Sequence, residues 1–258
     1  MKSVLVTGAK GQLGKSISDF VVNYPDLDFT FKDKSQLDIS NPLDVNKEFS
    51  SSTYDYCINC AAYTNVDQAE LNPELADKIN AKGVKNLALA CKENKVILVH
   101  ISTDYVFDGD KTQPYTVGDK PNPINVYGKS KLKGELIIQE TLNSFYIVRT
   151  SWLYHKSYGK NFYKRIIEKA KAGEILRVTD TQKGCPTNAS NLAVYVLNLI
   201  DQNTTPFGIL HFTDNEAMTW FDFAKIIIRN EGLDCEVRVL DKKKSFGGAR
   251  RPSNSVLG

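Results

Sequence analysis

The stretch Val4-Leu5-Val6-Thr7-Gly8-Ala9-Lys10-Gly11-Gln12-Leu13-Gly14 decides the fold of this chain. Apolar residues typical of a buried strand run directly into three glycines that are spaced three residues apart. Residues 15–22 then have the apolar spacing of a helix. A strand, a glycine turn and a helix in this order predict the opening of a dinucleotide-binding βαβ unit.

The three glycines have different tasks in this interpretation. Gly8 lets the chain leave the strand in a tight turn, Gly11 lets the backbone approach a pyrophosphate, and Gly14 lets the helix pack closely on the strand. The first N–H groups of the helix would then bind the phosphates. A tight connection without a ligand is the alternative, and the position directly after the first strand disfavours it.

Strand and helix patterns alternate along the first 150 residues, which predicts an α/β fold with a Rossmann-like doubly wound parallel sheet. We expect an NAD(P)-binding domain over 1–150. The predicted strands after the first are 29–31, 56–60, 96–101 and 145–150, and the predicted helices after the first are 42–49, 72–93 and 127–141. Residues 151–258 are less regular. They predict mainly a smaller C-terminal substrate-binding lobe, with some elements returning to the first domain.

Composition excludes several function classes. The chain has 258 residues, of which 41% are hydrophobic and 24% charged, as in ordinary globular enzymes. A net charge of +3 gives little attraction to nucleic acid. No apolar run approaches the ~20 residues of a membrane helix. A strand that begins directly after Met1 predicts the absence of a signal peptide. We therefore expect a cytoplasmic protein with no nucleic-acid or membrane partner.

Cysteine and histidine positions predict that no metal is bound. Cys57 and Cys60 form a C-x-x-C inside a predicted strand, where residues three apart point to opposite faces. We interpret them as buried thiols rather than as a zinc or redox pair. His100, His155 and His211 are scattered without ligand spacing. We expect His100 to be a packed or hydrogen-bonded core residue.

Tyr127 and Lys131 form the candidate chemical centre. They are four apart on a predicted helix and therefore share a face. An ammonium group favours the phenolate, so we expect it to lower the pKa of Tyr127 from about 10. The phenol can then protonate a carbonyl oxygen as hydride reaches the carbon. Thr103, at the carboxyl end of a predicted strand, can hydrogen-bond the same oxygen. The alternative is an ordinary pair on a helix surface.

The T-G-x-x-G-x-x-G spacing resembles the extended branch of the short-chain dehydrogenase/reductase superfamily. That resemblance implies a Tyr-x-x-x-Lys pair downstream, and the sequence has it at Tyr127 and Lys131. Further motifs are similar to those of the dTDP-4-dehydrorhamnose reductase family, and together they cover nearly the whole chain. These motifs are NCAAYTNVDQAE at 59–70, STDYVFDG at 102–109, RTSWLY at 149–154, DTQKGCPT at 180–187 and RRP at 250–252.

The resemblance implies reduction by NADPH or NADH of the 4-keto group of dTDP-4-dehydro-6-deoxy-L-mannose, the last step of dTDP-L-rhamnose synthesis. It makes Thr103, Tyr127 and Lys131 the catalytic residues. Cofactor-binding residues would be Tyr127 and Lys131 together with Gly8, Gly11, Gln12, Leu13, Gly14, Asp38, Ile39, Ala61, Ala62 and Tyr63. Residues facing the sugar nucleotide would be Val66, Asp104, Tyr105, Trp152 and Arg251.

Several alternatives remain open at this stage. Lys32, Asp33 and Lys34 offer both charges at the end of the second strand, so the choice between NADH and NADPH is undecided. The protein could be a monomer or a homodimer. Another extended short-chain enzyme, such as a different sugar-nucleotide reductase or an epimerase, would share these motifs. A non-catalytic NADP-binding regulatory subunit would share them as well. The family continues with another helix after the RRP motif, and the sequence leaves open whether the chain is trimmed.

Overall fold

A computed structural model describes residues 1–240 and 248–258, and a six-stranded parallel sheet lies at its centre. The strands are β1 (Lys2–Thr7), β2 (Leu27–Lys32), β3 (Tyr56–Asn59), β4 (Ile97–Thr103), β5 (Phe145–Thr150), β6 (Leu153–Tyr154), β7 (Leu176–Val178), β8 (Lys183–Gly184), β9 (Thr187–Asn188), β10 (Gly208–His211), β11 (Met218–Thr219) and β12 (Val237–Val239). The order β2-β1-β3-β4-β5-β10, with every neighbouring pair parallel, confirms the predicted fold class.

Helices cover both faces of this sheet. They are α1 (Gln12–Phe20), α2 (Pro42–Ser51), α3 (Val66–Leu71), α4 (Pro73–Asp77), α5 (Val84–Asn94), α6 (Val126–Thr141), α7 (Phe162–Lys171), α8 (Ala189–Gln202) and α9 (Trp220–Asn230). One apolar core contains residues of α1 and α8, and the other contains residues of α2, α5 and α6. Cys57 is buried in the second core and Cys60 packs against the first, as strand alternation predicted.

The sheet order reverses beside β1. The chain passes from β1 outward to β2 and then returns to β3 on the other side of β1. Ligands of open α/β sheets bind at the carboxyl ends of strands at such a point. Thr7 ends β1 and its hydroxyl donates to the Asn59 side-chain oxygen at the end of β3, at 2.7 Å. The glycine loop therefore starts at the reversal.

The second half of the chain contributes to two separate cores. Helix α8 packs with α1, and β10 extends the main sheet beside β5. Residues of α7, α9 and β7 instead form their own apolar cluster, with Val237 of β12 packed against it. That cluster is the core of the smaller lobe. A domain boundary at residue 150 stays a prediction.

The predicted helix 72–93 is wrong as a single element. The structure has α4, then a π-helical segment (Lys78–Gly83), then α5, and the preceding helix α3 was not predicted. Asn80 explains the interruption. Its side-chain oxygen accepts from the Tyr63 N–H at 2.8 Å, and its amide donates to the Tyr63 carbonyl and to the Ser130 hydroxyl. These three bonds hold the widened turn in place.

A smaller difference concerns the first helix. Helix α1 begins at Gln12 rather than at residue 15, because Gly11 already has the extended conformation of an N-cap. Within residues 1–240 and 248–258, no helix is long and apolar enough to cross a membrane.

We predict that Gly134→Ala destabilises the protein. Alanine in place of glycine inside a helix normally stabilises it by about 1 kcal/mol. A Cβ at residue 134 would however lie 2.3 Å from the Asn80 carbonyl oxygen, a backbone atom that cannot move alone. Overpacking of this kind costs about 1–3 kcal/mol, which exceeds the gain in helix propensity, so we expect a net loss of roughly 1 kcal/mol in the free energy of unfolding. Denaturant titration measures it.

Gly118→Ala is the control for this variant. The nearest atom to a Cβ there is the Thr116 hydroxyl oxygen at 3.9 Å, so we expect unchanged stability. A Gly134→Ala protein as stable as the original, or more stable, would contradict the backbone contact between α6 and the π-helical segment.

Candidate active site

In the glycine loop, two of the three glycines have no space for a side chain, and the third faces the cleft. Gly8 has φ +68°, and a Cβ on it would lie 2.7 Å from the Ala61 nitrogen. A Cβ on Gly14 would lie 2.7 Å from the Gly8 carbonyl oxygen. A Cβ on Gly11 would meet only that same oxygen, at 3.1 Å, and Gly11 lines the cleft. The structure therefore places Gly8 and Gly14 in packing contacts and opens Gly11 to a ligand.

Among the residues that the structure describes, no side chain caps the N-terminus of α1. Its first N–H groups belong to Gln12 and Leu13, which follow Gly11 and line the cleft. Gln12 has its side chain tied elsewhere, because its amide donates to the Leu153 carbonyl at 3.0 Å. Free N–H groups and the positive end of a helix dipole attract phosphate.

The end of β2 carries a charged pair. The Lys10 ammonium of the glycine loop contacts the Asp33 carboxylate, and Ser35 donates to the same carboxylate from its N–H and its hydroxyl. These hydrogen bonds, that of Lys10 first, hold the pKa of Asp33 well below its usual range. Lys32 pairs with Glu48 at 3.1 Å. The negative charge at this position is therefore partly neutralised.

Other residues expected to bind the cofactor divide between the cleft and the core. Ala62 lines the cleft, whereas the Ala61 N–H donates to Asn59 and the Tyr63 backbone is held by Asn80. Asp38 and Ile39 do not line the cleft. The Asp38 carboxylate accepts from the N–H and the hydroxyl of Ser40, and Ile39 is buried in the apolar core.

Tyr127 and Lys131 lie on the first two turns of α6 and both line the cleft. The Asn125 side chain caps this helix by accepting from the Gly128 N–H at 2.7 Å. The Lys131 side-chain nitrogen donates to the Ile101 carbonyl at 2.6 Å and lies 3.1 Å from His100 Nε2. His100 is fully buried, as expected.

The expected lowering of the Tyr127 pKa is wrong for this arrangement. Burial raises the pKa of Tyr127 to about 12, a hydrogen bond with Thr103 opposes the rise, and the Asp104 charge adds to it. Lys131 points at Ile101 and His100 and does not compensate. Burial also lowers the pKa of Lys131 to about 8, against the opposing charges of Glu135 and Cys60. Desolvation thus outweighs the attraction between the two groups.

Thr103 and Asp104 form a second polar pair at the end of β4. The Thr103 hydroxyl donates to Asp104 Oδ1 at 3.0 Å and accepts from the Tyr105 N–H. The other carboxylate oxygen of Asp104 is buried and has no partner among the described residues. Burial raises the pKa of Asp104 to about 7, although hydrogen bonds oppose the rise. Asp104 lines the cleft, and its buried carboxylate still has room for a further hydrogen-bond donor.

Residues expected to face the sugar nucleotide surround the same opening. Tyr105, whose ring meets Tyr127 edge-on, lines the cleft together with Val66. Arg251 lies in an adjoining groove that Val66 also lines. The Arg251 guanidinium pairs with Asp67 at 2.8 Å, so its charge is already partly matched.

Trp152 is held in an unusual conformation. Its φ is +47°, which costs a non-glycine residue about 1–3 kcal/mol. The ring stacks on Trp220 with centroids 3.5 Å apart. A Cβ on Gly184 would lie 2.5 Å from the indole, so only glycine leaves room for it. The strain is balanced by a stacked pair of indoles at the cleft wall.

The two lobes together enclose a cleft of about 500 Å³. Residues from both halves of the chain line it: Gly11, Gln12, Leu13, Cys60, Ala62, Thr64, Val66, Ile101, Ser102, Thr103, Asp104, Tyr105, Tyr127, Lys131, Thr150, Ser151, Trp152, Leu153, Gly159, Lys160, Asn161 and Trp220. Sequence reasoning missed Trp220 and the segment 159–161. Thr219 and Asp222 form a capping box, which places Trp220 at the start of α9 and was a usable signal.

Comparisons with known proteins agree with this site. A family model described as the RmlD substrate binding domain matches residues 1–258. A dTDP-4-dehydrorhamnose reductase from Aggregatibacter actinomycetemcomitans is 37% identical over 270 residues, covering 100% of this chain and 90% of that protein. A dTDP-4-dehydrorhamnose reductase from Mycolicibacterium smegmatis is also 37% identical and covers 98% of this chain and 77% of that protein.

Two solved structures are also similar to this chain. The dTDP-4-dehydrorhamnose reductase from Bacillus anthracis in complex with NADP is 40% identical, with a TM-score of 0.95, over 100% of this chain and 90% of that one. A UDP-glucose 4-epimerase from Thermus thermophilus with NAD has a TM-score of 0.83 at 20% identity, over 99% and 90% of the two chains, and shares the fold. Because the family model spans every residue and the relatives exceed 30% identity, this chain belongs to the RmlD substrate binding domain family.

Proposed function

We propose that this protein uses NADPH or NADH to reduce the 4-keto group of dTDP-4-dehydro-6-deoxy-L-mannose, giving dTDP-L-rhamnose. The observation that carries the proposal is that Tyr127 and Lys131 open onto the same cleft as Gly11 and the free end of α1. A proton donor beside a phosphate-binding helix end suits reduction of a carbonyl by a dinucleotide. The relatives named as dTDP-4-dehydrorhamnose reductases support the identity of the sugar nucleotide.

The chain offers a complete set of groups for binding a dinucleotide. Gly11 leaves the cleft open, and the uncapped N–H groups of α1 would hold the pyrophosphate. Ala62 is small enough to allow close approach, and Lys131 reaches the cleft from α6. We propose that Gly8, Gly14, Gln12, Leu13, Ala61 and Tyr63 shape this site and that Asp38 and Ile39 border it. The bound cofactor supplies the hydride.

Side chains of this protein would supply the proton that the substrate oxygen receives. We propose that Tyr127 donates its phenolic proton to the substrate oxygen and that Thr103 orients this oxygen by a hydrogen bond. Lys131 would hold the ribose and, when charged, make the phenol a stronger acid. Asp104, which lines the cleft, would accept from a sugar hydroxyl.

The remaining substrate contacts are proposed from their place around the opening. Val66, Tyr105 and Trp152 line the cleft and would pack against the sugar nucleotide. Arg251, in the adjoining groove, would interact with its diphosphate, in competition with Asp67. Trp220, stacked on Trp152, would complete this wall. An NAD(P)-binding domain over 1–150 and a mainly substrate-binding lobe over 151–258 fit this division.

The setting that we propose is the cytoplasm, with the protein as a monomer or homodimer and no nucleic-acid or membrane partner. All five cysteines are free thiols, which suits a reducing compartment. The net charge of +3 offers no strong attraction to polyanions.

One assay tests the proposed reaction against its alternatives. The purified protein is mixed with the 4-keto dTDP-sugar and, in separate reactions, NADPH or NADH, and absorbance and sugar products are followed together. Stoichiometric loss of the reduced cofactor with formation of dTDP-L-rhamnose is the expected result. Conversion without loss of the reduced cofactor would indicate an epimerase, and neither change would indicate a binding protein.

Tyr127→Phe removes only the phenolic oxygen. We expect kcat to fall by about 10²–10⁴-fold, because general acid catalysis contributes that much. The Kd for NADPH should stay within about twofold. Tyr195→Phe, the same change on α8 away from the cleft, is the control. Near-normal turnover of Tyr127→Phe at saturating substrate would show that another group delivers the proton.

Asp33→Asn should shift cofactor preference toward NADPH. The variant removes a negative charge at the end of β2 and frees Lys10, while an amide oxygen can still accept from Ser35. Because the variant removes a negative charge and releases a cation, we expect the ratio of the NADH to NADPH dissociation constants to rise roughly fivefold.

Fluorescence titration of both cofactors measures this ratio. Asp28→Asn is the matched control, because it makes the same charge change at an exposed position near the other end of β2. An unchanged ratio in Asp33→Asn would mean that this carboxylate and Lys10 lie outside the adenosine ribose site.

A further inference from the structure

A row of buried polar side chains connects the sheet to the candidate catalytic lysine. Thr7, Asn59 and His100 come from β1, β3 and β4, and Lys131 comes from α6. None of the four is more than 2% exposed. The proposed mechanism gives no task to the first three. In a dry environment each donor needs an acceptor, so the direction of every hydrogen bond in the row can be worked out.

Asn59 sets the direction of the row. Its side-chain oxygen accepts from the Thr7 hydroxyl at 2.7 Å and from the Ala61 N–H at 3.1 Å. A backbone N–H can only donate, so the oxygen of the amide must lie on that side. The amide nitrogen then faces His100 Nδ1 at 3.0 Å and donates to it. A nitrogen that accepts carries no proton, so neutral His100 has its proton on Nε2.

The Nε2–H of His100 points at Lys131. The distance from Nε2 to the lysine nitrogen is 3.1 Å, and that nitrogen also donates to the Ile101 carbonyl at 2.6 Å. An ammonium group has donors only and would oppose the imidazole N–H. A neutral amine has one lone pair and two N–H groups. It can therefore accept from His100 and donate to Ile101 without conflict.

We propose that His100 is a positioning residue that favours the neutral amine of Lys131 in the free protein, and that neutral Lys131 takes up one proton when the dinucleotide binds. The second part rests on the proposed function. Binding would draw Lys131 away from the imidazole N–H, and the proton would come from solvent. Tyr127 would then gain its charged neighbour only in the loaded enzyme.

Burial shifts Lys131 toward the neutral amine that the hydrogen-bond directions require. Burial lowers the pKa of Lys131 to about 8 and outweighs the opposing effects of Glu135 on the same helix and Cys60 after β3. Glu135 is itself paired with Arg149 of β5. Burial and the nearby lysine hold the pKa of His100 well below its usual range, which keeps the imidazole neutral.

Nitrogen-15 NMR of histidine-labelled free protein at about pH 9, above the pKa of Lys131, tests the first part without any ligand. The chain provides its own references. His155 Nδ1 accepts from the Ser157 and Tyr158 N–H groups and so carries its proton on Nε2, whereas His211 Nδ1 faces the Gly258 carbonyl and must donate. We expect the His100 spectrum to match that of His155. A spectrum like that of His211, or that of an imidazolium, would overturn the proposal.

Calorimetry tests the second part. NADPH is titrated into the protein at about pH 8, near the pKa of Lys131, in two buffers with different heats of ionisation. We expect uptake of up to about half a proton per site, because about half of the lysines are neutral at that pH. Binding without proton uptake would overturn the coupling. Absence of binding would instead count against the proposed function and would leave the NMR result standing.

Asn59→Asp is a nearly isosteric change that should reverse the hydrogen-bond directions between residue 59, His100 and Lys131. A carboxylate can accept from Thr7, from Ala61 and from His100 together, so the imidazole proton should move to Nδ1. Nε2 would then accept from a charged Lys131. We expect a His211-like spectrum and proton uptake near zero. Asn230→Asp, an equal charge change at the exposed end of α9, should leave both unchanged. An Asn59→Asp protein with an unchanged spectrum would overturn the assigned hydrogen-bond directions. If this variant does not fold, the spectrum of the wild-type protein alone decides whether His100 has the proposed tautomer.

Discussion

The buried ion pair between Glu135 and Arg149 fixes the helix on which the proposed chemistry depends. Glu135 lies on α6 one turn after Lys131, and Arg149 lies on β5. The guanidinium donates from Nη2 at 2.6 Å and from Nε at 3.1 and 3.2 Å to the two carboxylate oxygens, and the Ser102 hydroxyl of β4 donates to one of them. Breaking such a pair costs about 3–5 kcal/mol, because it leaves a buried charge unmatched. Helix α6 is thereby held to two strands at once.

Close backbone contacts complete the placement of α6. A Cβ on Gly128 would lie 2.1 Å from the Tyr105 carbonyl oxygen, so only glycine allows the first turn of α6 to approach the end of β4. That approach brings Tyr127 and Thr103 to the same cleft. The ion pair sets the position of the helix along the sheet, and the glycine sets its distance. Neither interaction touches a ligand, yet both determine where the phenol lies.

Local patterns predicted much of this structure. Apolar runs followed by glycine or small residues located β1, β3 and β4, and the four-residue spacing located Tyr127 and Lys131 on one face of α6. The interruption in helix 72–93 could not be predicted in this way. It depends on Asn80 bonding to Tyr63 and Ser130, which are distant in sequence. Propensity describes neighbours along the chain, and such contacts depend on the completed fold.

The candidate site follows the same division. Residues in contiguous motifs, such as Thr103 and Asp104, were found because a strand end carries them to the cleft. Trp220 was missed, because its place beside Trp152 results from packing between segments that are distant in sequence. The ionisation of Tyr127 was also misjudged. Sequence spacing shows that an ammonium is near a phenol, but it does not show where the lysine nitrogen points or how much water remains.

Burial of the reacting groups both helps and hinders the proposed proton transfer. It excludes water from the reacting groups, which strengthens every hydrogen bond in the cleft. It also favours the neutral form of both Tyr127 and Lys131, raising the pKa of one and lowering that of the other. A phenol with a pKa near 12 is a weaker acid than free tyrosine. A buried tyrosine therefore becomes a stronger acid when positive charge reaches it, and the lysine four residues later on the same helix face is the group placed to bring that charge.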